Sequence, residues 1–171
     1  DMGANLLPIN LGAGEEAQHI VAAIGHVCAI LKSGALKCWG NNDSGQLGIG
    51  SIGNTTLPGL STNLGAGKSA VEVGAGQIHT CALLNDGTVK CWGSDGYGAL
   101  GTADFASQTS PPADPVDLGP GVTVAHLGVG RLHTCIIDNA GAVRCWGRNQ
   151  YGELGIGNTI DQHLPTGPVD L

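Results

Sequence analysis

The stretch His79-Thr80-Cys81-Ala82-Leu83-Leu84-Asn85-Asp86-Gly87-Thr88-Val89-Lys90-Cys91-Trp92-Gly93 decides how this chain folds. It is two short apolar runs around a turn, the pattern of a β-hairpin. The stretch has two further copies, His26-Val27-Cys28 to Cys38-Trp39-Gly40 and His133-Thr134-Cys135 to Cys145-Trp146-Gly147. A step of about 53 residues is the period of a propeller or another repeat array.

All six cysteines lie in these hairpins, as the pairs Cys28 and Cys38, Cys81 and Cys91, Cys135 and Cys145. The midpoints Lys32-Ser33-Gly34, Asn85-Asp86-Gly87 and Asn139-Ala140-Gly141 suit a three-residue loop, a type I turn followed by a left-handed Gly that forms a bulge. Pairing then sets Leu84 opposite Thr88, Leu83 opposite Val89, Ala82 opposite Lys90 and Cys81 opposite Cys91. With a hydrogen-bonded closing pair, the cysteines fall on a non-hydrogen-bonded pair. Its Cα atoms are roughly 4.5 Å apart, the short end of what a disulfide accepts. The spacing therefore predicts one cross-strand disulfide per hairpin, each contributing roughly 2–3 kcal/mol on the chain-entropy account. The alternatives are six buried free thiols or a zinc site. The second lacks any C-x-x-C and offers only facing pairs, not a four-ligand cage. Paired cysteines imply an oxidising compartment, so the expected location is secreted or cell surface.

Hydrophobic residues make up 42% of the 171 residues, enough for a core, whereas aromatics are only 4%. The 30 Gly and 8 Pro suit many short strands joined by tight turns. Net charge is -7, from 14 acidic residues against 7 Lys and Arg. No basic cluster is present to hold phosphates, so nucleic acid is not an expected partner. No run approaches the roughly 20 apolar residues of a membrane helix. The sequence opens at Asp1 without a signal peptide, which fits a mature form, a domain or part of something longer.

Taken in order, residues 1 to 6 read as the tail of an earlier repeat. Leu7 to Gly12 then parallels Leu57-Pro58-Gly59, Pro115 to Gly119 and Leu164 to Leu171. Each is expected to be a short outer strand, its Pro suited to a sheet edge. Ile20 to Ala23, Val73 to Gly76 and Leu127 to Gly130 are small and Gly-rich, suited to an inner position where blades crowd an axis. The hairpin supplies two middle strands. After each C-W-G comes a loop punctuated by Gly: Ser44 to Gly48, Tyr97 to Gly101, Tyr151 to Gly155. Its Leu is expected to plug the core. The whole chain reads as one array, with repeats at about 7–56, 57–110 and 111–163 and residues 164–171 beginning a further repeat or adding a surplus outer strand.

The pattern G-x-x-H-T-C-x-L, then D-G-x-V-x-C-W-G, then x-G-x-L-G resembles the regulator of chromosome condensation repeat family, and its cysteine-paired form resembles the secreted bacterial branch. The resemblance implies all-β, β-propeller-type repeats: here three four-stranded blades of about 53 residues, each with a hairpin disulfide. In well-known members it implies seven blades. Copy one departs at Ala23, where the others have Gly76 and Gly130. Members of that family act through surface loops outside the repeat motif, so their functional residues do not map here.

Three blades cannot close a seven-bladed ring, and an open stack exposes two blade faces. There are four outer segments for three hairpins, so the one at 7–11 or at 166–171 is surplus and able to add to a neighbour's sheet. Either the chain is a fragment of a longer propeller, or it assembles with itself as a closed ring or a filament.

His26, His79 and His133 recur with the period. They read as part of the structural signature, each bonding backbone near the inner strand, and a metal-binding ring is the alternative. His19, His126 and His163 read as loop or edge residues. Trp39, Trp92 and Trp146 read as packed between blades, with a ligand-stacking surface as the alternative. Asn42-Asp43-Ser44 and Asn54-Thr55-Thr56 match the N-glycosylation pattern. Asp43, Asp95 and Asp104 lie in loops without the D-x-D-x-D-G order of a calcium loop. No catalytic, metal or cofactor motif stands out: there is no nucleophile elbow, phosphate loop or H-E-x-x-H. The expectation is a non-enzymatic extracellular scaffold that binds protein partners through its inter-repeat loops. The alternative is a self-assembling structural subunit, formed by head-to-tail or strand-addition contacts. Divergence of residues 49–56, 102–114 and 156–163 favours binding.

Overall fold

The computed structural model describes residues 7–165 and 167–169. The expected repeat tail at residues 1–6 lies outside them. Nine strands follow in chain order: β1 (Ala17–Ala22), β2 (His26–Leu31), β3 (Leu36–Gly40), β4 (Ala70–Ala75), β5 (His79–Leu84), β6 (Val89–Gly93), β7 (Val124–Val129), β8 (His133–Asp138) and β9 (Val143–Gly147). They form three antiparallel sheets, β1-β2-β3, β4-β5-β6 and β7-β8-β9, called here blades 1, 2 and 3.

Each hairpin has the register that its turn demands. Leu83 faces Val89, Ala82 faces Lys90 and Cys81 faces Cys91, and the loop closes with Leu84 N–H donating to Thr88 O at 2.8 Å. Gly34, Gly87 and Gly141 adopt φ of 81°, 79° and 84°, the left-handed step that a bulged three-residue loop requires. The three disulfides are Cys28–Cys38, Cys81–Cys91 and Cys135–Cys145, with Cα separations of 4.1, 4.0 and 4.1 Å. That is the close approach of a non-hydrogen-bonded pair.

The blades have three strands, not the four expected. One segment per repeat makes a ladder bond to its hairpin and then leaves: Thr62 N–H to Leu36 O at 2.8 Å, Val116 N–H to Val89 O at 2.8 Å, Val169 N–H to Val143 O at 2.7 Å. In the first of them the bond lies beyond the expected Leu57-Pro58-Gly59, whose Leu57 is exposed. Pro115 and Pro168 precede two of these donors and have no N–H to extend the ladder. Just beyond, Asn63 and Asp117 accept from Gly65 and Gly119 N–H at 3.0 and 2.9 Å, which turns the chain toward the next blade.

Each of these three segments thus lies against the hairpin that precedes it in sequence. Residues 7–11 have the same turn, with Asn10 Oδ1 accepting from Gly12 N–H at 2.9 Å. Among the described residues no backbone hydrogen bond joins 7–11 to a sheet. Lys37 Nζ donates to Leu11 O at 2.8 Å, and Leu7 and Ile9 are exposed. Of the other candidate for a surplus strand, 166–171, residues 166, 170 and 171 lie outside the described residues.

The core is two slabs between blades. Cys28, Ile30, Leu36 and Leu47 of blade 1 pack on Ala82, Leu84 and Trp92 of blade 2. Cys81, Leu83, Val89 and Leu100 of blade 2 pack on Val124, Ile136 and Trp146 of blade 3. Each sheet is therefore buried on two faces where it has a neighbour on either side, which is why all six residues of β5 are buried. Leu47, Leu100 and Leu154 are the plugs under the loops, at most 1% exposed.

Candidate protein interaction surface

The contact between blades has one recurring polar centre. At the first junction the Gln46 carbonyl, in the loop after β3, accepts from Thr80 Oγ1 at 2.8 Å and Trp92 Nε1 at 3.0 Å, both of blade 2. At the second, the Ala99 carbonyl accepts from Thr134 Oγ1 at 2.9 Å and Trp146 Nε1 at 3.0 Å. A hydroxyl has one proton to give. Since each Thr donates it to the carbonyl, the ring nitrogen at its oxygen must donate. That nitrogen is His26 Nε2, 2.8 Å from Thr80 Oγ1, and His79 Nε2, 3.2 Å from Thr134 Oγ1.

The expectation that these histidines bond local backbone is therefore corrected. Their partners are hydroxyls one blade away, 54 and 55 residues along the chain. The tautomer leaves Nδ1 of His26 and His79 as a buried acceptor with no partner. Burial drives the His26 pKa down to about 4. Burial drives His79 to about 3, with His26 and His133 adding repulsion. The histidines form a file from blade to blade, and among the described residues no three His, Cys, Asp or Glu side chains gather as a metal site. Trp92 and Trp146 are fully buried between blades, and Trp39 is half-buried. Gly48 (φ 70°) and Gly101 (φ 73°) let the loop backbone reach the Trp, since a Cβ there would stand 2.5 and 2.8 Å from Nε1 of Trp92 and Trp146.

Sequence reasoning missed the residues that hold these loops. Leu47 N–H donates to Asn42 Oδ1, Leu100 N–H to Asp95 Oδ1 and Leu154 N–H to Asn149 Oδ1, at 2.9, 2.9 and 3.0 Å. The signal was available: each is the second residue after C-W-G. Asn42 and Asn149 also donate to backbone carbonyls at Ser51 and Asn158. Asp95 is the odd member, and burial raises its pKa. An ionised carboxylate there is disfavoured in the folded state, so its penalty is present at neutral pH and vanishes in acid. Asp95→Asn keeps the acceptor for Leu100 and removes the charge. It is expected to raise stability at pH 7 by about 1 kcal/mol, or about 2–4 °C in a melting scan, with the gain shrinking toward pH 4. Asn42 is fully buried and spent on these bonds, so the first glycosylation pattern is closed to modification in the folded chain. Asn54 is exposed.

The variable loops share one rim. Each returns to the end of its hairpin through a bridge: Gly40 with Thr55, Gly93 with Gln108, Gly147 with Gln162. The chain's single Phe and both Tyr lie on this rim. Arg148 stacks over Tyr97 and Tyr151, its guanidinium carbon 5.8 and 5.2 Å from the ring centroids. Phe105 meets His163 edge-on, centroids 4.5 Å apart. Phe105 has φ of 52°, a strained conformation for a bulky residue, and it remains exposed, as does Tyr151. Elsewhere, His126 Nδ1 lies 3.0 Å from Glu72 Oε1 across the inner strands of blades 2 and 3, and His19 is exposed in β1.

Antiparallel blades stacked face to face, sealed by a His–Thr–carbonyl–Trp contact, define a β-propeller-type repeat array. The profile of the regulator of chromosome condensation (RCC1) repeat matches residues 19–46, 70–99 and 124–153, and a second profile of that repeat matches 33–83 and 140–168. The chain belongs to the RCC1 repeat family. It is 31% identical over 159 residues to the ultraviolet-B receptor UVR8 of Arabidopsis thaliana, covering 93% of this chain and 36% of the receptor. It is 31% identical over 140 residues to the E3 ubiquitin-protein ligase HERC2 of Homo sapiens, covering 82% of this chain and 3% of the ligase. Among solved structures, yeast RCC1 (Prp20) bound to Kap60 superposes with a TM-score of 0.79 at 20% identity, over 91% of this chain and 37% of that one. Human WBSCR16 superposes with a TM-score of 0.77 at 24% identity, over 93% of this chain and 41% of that one. The chain thus spans little more than a third of the plant receptor. Among the described residues no helix is long and apolar enough to cross a membrane.

Proposed function

We propose that this chain is part of an extracellular, non-enzymatic scaffold that binds protein partners through its inter-repeat loops. The observation that carries the reading is the rim, where Arg148 stacks on Tyr97 and Tyr151 in the loops that follow C-W-G and Phe105 stands exposed on the variable loop 102–114. Tyr and Arg dominate binding hot spots, because rings and guanidinium planes supply contact area at a small entropic cost. The strained Phe105 backbone fits the same role, since strain persists where a side chain must be presented. The three disulfides support an oxidising location. That yeast RCC1 was solved bound to Kap60 supports a partner-binding role for the fold.

The test is a binding screen of the oxidised chain against extracellular protein domains, repeated with a Phe105→Ser/Tyr151→Ser double variant. Loss of at least tenfold in affinity for the recovered partners, with an unchanged melting curve, is expected. Partners that bind both chains equally would place recognition elsewhere and sink the reading.

A further inference from the structure

The three loops that follow C-W-G have the same length up to their bridge. In the first and third, an amide at the second residue fastens the far side of the loop. Asn42 Nδ2 donates to Ser51 O at 2.8 Å, and Asn149 Nδ2 donates to Asn158 O at 2.9 Å and Ile160 O at 3.1 Å. The second loop has Asp95 in place of the asparagine and Asp104 in place of Ser51 and Asn158. An ionised carboxylate has no proton to give, and among the described residues the Asp104 carbonyl accepts no backbone hydrogen bond. The other fastening of this loop is also longer. Asp95 N–H reaches Ser107 Oγ at 3.3 Å, whereas Asn42 N–H and Asn149 N–H reach Asn54 Oδ1 and Asp161 Oδ1 at 2.7 Å. Phe105, with its φ of 52°, sits between these two points.

We propose that Asp95 is a proton-operated latch on the loop that carries Phe105. With a proton on Oδ2, Asp95 donates to Asp104 as Asn42 and Asn149 donate to the counterparts of Asp104, and the loop is held. When Asp95 gives that proton to solvent, the loop is released at Asp104 and Phe105 loses its fixed presentation. For its effect on binding the latch rests on the reading of Phe105 as a partner contact: affinity through the rim then rises as pH falls.

The surroundings of Asp95 set the direction. It is 3% exposed, and burial pushes its carboxyl up, toward the protonated form. Two titratable groups face it. Asp104, in the same loop, favours the proton by repulsion, and His163, in the loop after β9, opposes it when charged. Leu100 N–H and Thr102 Oγ1, which donate to Oδ1 and Oδ2 at 2.9 and 3.2 Å, oppose it as well. The Thr102 hydroxyl also holds the Asp104 carboxyl below its usual range. One hydroxyl has one proton, so it cannot serve both carboxylates, and the acid that gains a proton is the buried one. The latch is therefore closed below the Asp95 midpoint and open above it.

The test follows the Asp95 side-chain carboxyl by NMR, together with amide exchange at Ala106 and Ser107, from pH 8 to 4.5. It uses the oxidised chain and Asp95→Asn. The carboxyl is expected to titrate above the range of an ordinary aspartate. As it takes its proton, the protection factors of the two amides should rise about fivefold, the effect of one added hydrogen bond. In Asp95→Asn, where the amide donates at every pH, protection should stay at the higher value throughout. A carboxyl signal that is flat over the range would overturn the latch. So would amide protection that ignores the titration, or that still rises in Asp95→Asn. These readouts need no partner. Failure of the binding screen would sink the reading of Phe105 and leave the latch standing, whereas a failed latch would leave partner binding by Phe105 and Tyr151 to its own test.

Discussion

Reducing the three disulfides is expected to unfold this chain at ordinary temperature. Each closes a hairpin between cysteines 10 residues apart, and a loop of that size constrains the unfolded state by roughly 2.5–3 kcal/mol. The three bonds lie in different blades, so their effects add, to about 8 kcal/mol. Natural domains hold only about 5–15 kcal/mol in total. At about 2–4 °C per kcal/mol for a chain of this length, the melting temperature should fall by about 15–30 °C. A scan with and without a thiol reductant measures it. The order of reduction is also set by access. The Cys28 and Cys81 sulfurs are sealed in the blade-to-blade slabs, both residues 0% exposed, whereas Cys135 lies on the open face of blade 3. Mass mapping of partly reduced chain should therefore find Cys135–Cys145 opened first. A melting curve unmoved by reduction would mean that the slabs alone hold the fold, and the argument for an oxidising compartment would lose its physical basis.

The parts of this architecture that were legible in the sequence are those fixed by neighbours in the chain. Asn85-Asp86-Gly87 dictates the turn, the turn dictates the register, and the register dictates which cysteines meet. The plugs Leu47, Leu100 and Leu154 follow from a Gly-x-Leu-Gly loop that leaves one apolar side chain to bury. The outer strands were over-read for a local reason as well. A Pro beside apolar residues is compatible with an edge strand, but Asn63 and Asp117 form turns two residues before a glycine, and those turns win after one ladder bond. What was not legible is what crosses between blades. A His that meets a Thr 54 residues away leaves no mark in either hairpin, because each residue is also a reasonable local choice. Only the shared carbonyl of Gln46 or Ala99 shows why both are present, and a carbonyl has no letter in a sequence. The rim cluster of Tyr97, Arg148 and Tyr151 was hidden differently: its positions recur in every copy, but copy one has Ser44 where the others have Tyr, and Arg148 stands where the others have Asn41 and Ser94, so the stacking across blades leaves no repeated letter.

The buried histidines make acid the second strong lever on stability. In the unfolded chain His26 and His79 titrate near 6.5, whereas in the fold they titrate near 4 and 3. The fold therefore holds both rings neutral, and their contribution is fully present above pH 6.5. It is lost as pH falls from there through 4 and then 3, because the unfolded state takes up protons that the folded state refuses. Each ring contributes a slope of about 1.4 kcal/mol per pH unit in that window. Between pH 6.5 and pH 5 the pair should cost about 3 kcal/mol. The cause is visible at the junction: Nε2–H is committed to a threonine, so an added proton must go to Nδ1, which is buried without an acceptor. Urea midpoints measured from pH 7.5 to 4.5 check the slope. His26→Gln offers an amide donor to Thr80 without a titrating ring, and should remove about half of the slope while leaving the disulfides and the second junction intact. A midpoint that stays level from pH 7 to 5 would mean that the rings titrate alike in both states, and the junction would then have to be open to water rather than sealed.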